Sequence, residues 1–103
     1  MAHPTTIVQA FNNMTMSYRP DNLMQGNAIR NVQLCVRDLD DVNPGPNFVD
    51  GVFGQKTKDA VKIYQSSRGM TPVDGIVGRA TRAALWDEFE DMLKTSGYMA
   101  TQG

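Results

Sequence analysis

Few side chains in this chain could do chemistry, and they lie far apart. Asp50 and Asp74 stand out, each directly followed by a glycine, Gly51 and Gly75. Two carboxylates could act as an acid and base or could hold calcium. However, the Asp-x-Asp-x-Asp-Gly spacing of a calcium loop is missing, and carboxylates on two copies of one turn make a poor acid/base pair. The simpler use is structural: the Asp side chain bonds nearby backbone N–H groups while the glycine takes a positive φ. Cys35 falls in an apolar stripe with Ile29, Val32, Val36 and Leu39, so it is expected to be a buried small hydrophobe rather than a reactive thiol. The one histidine, His3, sits near the N-terminus, and one His with one Cys cannot supply the three or four ligands of a zinc site. With no Ser-His-Asp or Cys-His set either, the chain reads as non-catalytic, without metal or cofactor.

The elements that would carry these residues follow from periodicity and punctuation. The 103 residues suit one domain, and a net charge of −1 provides no basic stripe for nucleic acid and no attraction to anionic lipid. No segment is apolar for the ~18 residues of a membrane span. Residues 1–20 lack a basic start and an apolar run, so no signal peptide is expected. Residues 1–25 are treated as an N-terminal arm with room for a short helix starting near Thr5 or Thr6. The domain proper is placed at 26–97. Asn27 would cap a helix over 28–39, and 40–48 (DDVNPGPNF) is loop. Helices are expected over 55–68, ended by Gly69, and over 79–96, ended by Gly97. Residues 98–103 should fray.

Residues 49–86 contain one unit twice, VDGVFGQKTKDAV and VDGIVGRATRAAL, offset by 24 positions. Asp50/Asp74, Gly51/Gly75, Gly54/Gly78 and Thr57/Thr81 are identical pairs with structural roles. Gly54 and Gly78 would let the loop bend closely into its helix. Thr57 and Thr81, in the first helical turn, would satisfy free N–H groups or pin the loop. Gln33 and Gln65 close equivalent stretches, IRNVQ and VKIYQ, and should bond loop backbone.

This pattern resembles the peptidoglycan-binding domain family (PGBD-like, PG_binding_1). The matching positions are Ile29, Val32 and Gln33, then Asp50, Gly51, Phe53, Gly54, Thr57, Ala60, Val61, Tyr64, Gln65 and Gly69, then Asp74, Gly75, Val77, Gly78, Thr81, Ala84 and Leu85. The resemblance implies an all-α fold, a small orthogonal three-helix bundle with two Asp-Gly loop-helix repeats. It also implies a non-catalytic module that binds the glycan strand or stem peptide of the bacterial cell wall. A shallow groove with aromatic faces and amide or guanidinium donors would suit such a ligand, and by loop position the candidates are Asn47, Phe48, Tyr64, Arg68, Met70 and Thr71.

Two departures are visible. The loop over 39–46 is more acidic than usual, and the last helix runs on through Trp86, Phe89, Met92 and Leu93. Those four are expected to pack on residues 7–16; left uncovered, they or the arm would face a protein partner. Asp87, Glu88, Glu90 and Asp91 should be a solvated face. The alternative reading is a structural or adaptor protein of a phage virion or contractile injection apparatus. Such a chain would be made in the cytoplasm and act at the wall after lysis or within a particle.

Overall fold

A computed structural model describes residues 4–100. It contains helices α1 (Ile7–Phe11), α2 (Asn27–Arg37), α3 (Gln55–Ser67) and α4 (Arg79–Thr95), and pairing among the described residues is limited to two isolated antiparallel bridges. None of the helices is long and apolar enough to cross a membrane. The expected three helices are α2, α3 and α4, and α1 belongs to the arm.

α2 is central and packs against each of the other three. Its sequence explains why: Ala28, Ile29, Val32, Cys35 and Val36 are all buried, and the remaining buried positions, Asn31 and Gln33, are polar side chains with partners. Phe11, Met16, Phe53, Val61, Tyr64, Val77, Leu85 and Leu93 complete the core around it.

Helix ends follow local chemistry. Thr6 caps α1, its Oγ1 accepting from the Gln9 N–H at 3.1 Å. α3 ends with Gly69 at φ +66, where the Gly69 N–H donates to the Ser66 carbonyl and the Met70 N–H to the Gln65 carbonyl, the Schellman arrangement. Asn27 is not the cap of α2. That place falls to Gly26, whose φ of +134 suits glycine alone. Asn27 instead accepts from Arg30 and donates to the Met99 carbonyl.

The arm is built into the domain. The Met16 and Val77 N–H groups and carbonyls bond reciprocally at 3.0 and 2.8 Å, and Gly26 and Phe53 donate to Gly51 and Met24. One stretch of the arm therefore pairs with both Asp-Gly loops. Arg82 of α4 donates to the Met14 carbonyl at 2.6 Å, and Asn31 donates to the Ala10 and Tyr98 carbonyls. Of the stretch 98–103 expected to fray, residues 98–100 are held: Ala100 is buried and its N–H donates to the Gln9 carbonyl. Residues 101–103, and His3 at the other end, lie outside the described residues.

α1 lies against α4. In the α4 extension Leu93 is fully buried, and Trp86, Phe89 and Met92 are half-buried against the core, with the Phe89 ring tilted on that of Tyr64 at 6.3 Å.

Candidate functional site

Each Asp-Gly loop is gripped by a glutamine buried in the helix before it. Gln33 Nε2 donates to Asp50 Oδ1 at 3.0 Å, the Val52 carbonyl at 3.1 Å and Thr57 Oγ1 at 3.0 Å, while its Oε1 accepts from the Gly51 N–H at 2.9 Å. Gln65 repeats this on Asp74, the Ile76 carbonyl and Thr81, and accepts from the Asp74 and Gly75 N–H groups. Asp50 and Asp74 each accept from the N–H two residues on, at 2.9 and 3.0 Å. Gly51 and Gly75 have φ of +77 and +73, as the turn requires. The aspartates, threonines and glutamines are thus framework, and every buried side-chain polar atom among the described residues has a partner.

Gly54 and Gly78 do not play the part expected of them. Both sit at helix N-caps with extended backbone, φ −95 and −91, and a Cβ added at either would meet nothing within 4 Å. Nothing in the structure explains glycine at these two positions.

The six ligand candidates do not converge. Tyr64 is a core residue, 1% exposed, and its hydroxyl donates to Glu88 Oε1. Arg68 lies over the Tyr64 ring at 5.0 Å and forms a two-pronged ion pair with Glu88. Glu88 stays on the exposed acidic face expected of it and is engaged there by Arg68. The Arg68 hydrogen bonds hold its carboxyl below the usual range, and burial followed by Glu88 pushes the Tyr64 hydroxyl up. Arg68 also borders a hollow with Asp38, Asp40 and Asp41. Phe48 is 7% exposed and belongs to the core, so little of its ring is left for a ligand.

Asn47 and Phe48 line one concavity; Met70 and Thr71 line another. The first, about 420 Å³, is framed by the 44–57 stretch, and the second, about 210 Å³, by 70–81 with Gln65. They are copies: Asn47 corresponds to Thr71, Phe48 to Pro72 and Lys56 to Ala80 at the repeat's 24-residue offset. Sequence reasoning missed Gln55 and Lys56, exposed residues of the first concavity that neither a turn nor an apolar stripe marks out. The repeat itself held the signal, because every lining residue from Pro46 to Thr57 has its counterpart 24 positions on.

Burial, and secondarily Glu88, raises the Cys35 thiol above its ordinary value, which makes it a poor nucleophile. Among the described residues no three His, Cys, Asp or Glu side chains gather where a metal ion could sit.

Comparison with known proteins gives two matches. Residues 25–85 match the peptidoglycan binding domain family, PG_binding_1. Over 66 residues the chain is 38% identical to the N-acetylmuramoyl-L-alanine amidase CwlL of Bacillus licheniformis, a stretch that takes in 61% of this chain and 18% of the amidase. No solved structure gives a significant match.

Proposed function

The chain belongs to the peptidoglycan binding domain family, and from that membership we propose that it is a non-catalytic module that holds bacterial cell wall. The observation that carries this reading is the family match over residues 25–85, together with a fold in which the matched residues form one framework of loops and helices. The likeness to the amidase covers a small part of that enzyme, and its activity does not transfer with it. The non-catalytic reading is supported by the buried, high-pKa Cys35 and by the structural employment of Asp50 and Asp74.

The adaptor reading, in which this fold serves contacts within a virion or injection particle, draws less support. It rests in part on the segments beyond the minimal domain, and there Phe11, Met16 and Leu93 are buried and Trp86, Phe89 and Met92 are packed against the core. A co-sedimentation assay on purified sacculi tests the wall-binding proposal. The chain should pellet with sacculi at micromolar concentration and stay in the supernatant without them; no enrichment in the pellet would sink the reading.

A further inference from the structure

The duplicated loops offer a comparison within one molecule. Both concavities share the Asp-Gly turn and its glutamine grip, but they differ in side chains and at the rim, where Asn47 is left-handed at φ +62 and its counterpart Thr71 is not. The first has about twice the volume, 420 against 210 Å³, and only the first reaches the ~300 Å³ at which small-ligand sites begin. The first also carries the richer polar set. Asn47 provides an exposed amide, Gln55 a second whose Nε2 already donates to Asp59 Oδ1 at 2.9 Å, and Lys56 makes no ion pair among the described residues. Asp50 spends one carboxylate oxygen on Gln33 and the Val52 N–H, and its second oxygen has no partner among those residues. At the matching places the second concavity has Thr71 for the Asn47 amide and Ala80 for the Lys56 cation, although it keeps Asp74 and gains Arg79.

Resting on the wall-binding reading above, we propose that the first concavity is where the polymer is held, and that its occupant is the stem peptide rather than the glycan strand. A free cation, a half-free carboxylate and two amides in one hollow match a ligand that bears ammonium, carboxylate and peptide groups together. A stem peptide has all three. A glycan strand has no ammonium, and sugar rings want an exposed aromatic face, which the buried Phe48 does not provide. Asn47 is suited to this position for a second reason: its φ of +62 holds the side chain on a left-handed turn at the rim.

The experiment compares retention on intact sacculi with retention on sacculi stripped of stem peptide by amidase digestion. The unaltered chain should bind the intact material and lose at least tenfold on the stripped glycan. Lys56→Ala combined with Asn47→Gly, which keeps the left-handed backbone, should weaken binding to intact sacculi roughly tenfold. Arg79→Ala in the second concavity should leave it within twofold. Urea midpoints matching the unaltered chain confirm that the variants are folded. Equal capture on stripped glycan, an unaffected double variant, or an equal loss from Arg79→Ala overturns the assignment while wall binding stands. Failure of the unaltered chain on intact sacculi overturns both.

Discussion

Replacing Gln33 by methionine tests the framework most directly. Methionine has nearly the same length and volume, so little cavity is created. What is lost is the amide: donors to Asp50, Val52 and Thr57, and the acceptor for the Gly51 N–H. Gln33 is 0% exposed and Gly51 is buried, so water cannot replace these partners. Stranding a buried N–H costs about 1–3 kcal/mol, and each lost neutral hydrogen bond adds roughly 1 kcal/mol. The terms sum to about 4–6 kcal/mol and local relaxation recovers part of that, so a total of at least about 3 kcal/mol is expected, a large share of the ~5–15 kcal/mol typical of a domain. In urea that is a midpoint lowered by about 2 M at unchanged slope. Gln65→Met should cost the same within about 1 kcal/mol, because its bonds repeat those of Gln33. A Gln33→Met loss below about 1 kcal/mol, no greater than that of the exposed Gln55→Met, would refute the idea that the glutamines hold the loops.

Gly51→Ala and Gly75→Ala should each lose about 1–2 kcal/mol to left-handed strain. Gly75→Ala should lose more, since its new Cβ would lie 2.7 Å from Lys58 Cγ and 3.2 Å from the Lys58 carbonyl, whereas at Gly51 it meets only the flexible Arg30 guanidinium. Gly54→Ser should instead stabilise by a few tenths to about 1 kcal/mol in the same urea assay, because the backbone is ordinary, the space is open and serine caps α3. The lowered Glu88 pKa means that its pairing with Arg68 and Tyr64 adds stability above the usual glutamate value of 4.5, lost as pH falls through the folded pKa. Glu88→Gln should therefore flatten the stability–pH curve below pH 4.5 by no more than about 1 kcal/mol, since the pair is one-third exposed. Cys35 should resist a thiol reagent in the native chain at pH 8 and react fully in denaturant, as a 2%-exposed thiol with a raised pKa requires.

The features legible in the sequence are those written locally. An Asp-Gly turn, a Gly69 or Gly97 stop and an apolar spacing of three and four depend on neighbours within a few residues, so α2, α3 and α4 and the turn roles of Asp50 and Asp74 could be read directly. Gln33 and Gln65 were legible for a related reason: a polar side chain on a buried stripe must find partners, and a loop supplies them. The arm was not legible. Met16 pairs with Val77 through backbone hydrogen bonds, which leave no side-chain signature, and the pairing spans most of the chain. Two of the ligand candidates, Tyr64 and Phe48, were placed by loop position, which does not report exposure. Tyr64 follows Ala60 and Val61 on the buried side of α3, and Phe48 points inward from a loop otherwise open to water. Glu88 looked like one charge in an acidic run because Arg68, its partner, is 20 residues away.

The two glutamine grips also set how long this architecture can be. Gln33 on α2 secures the turn before α3, and Gln65 on α3 secures the turn before α4, like successive stitches in a seam. The two grips stand 32 residues apart, but at the 24-residue offset of the loop-helix repeat the counterpart of Gln65 on α4 is Phe89. No amide stands there to catch another turn. Its ring rests against Tyr64, and its backbone leaves helical geometry, φ −116 and ψ 17. The seam is tied off at Phe89, as end units close a repeat array, so adding a third turn and helix would first require that aromatic to become a glutamine.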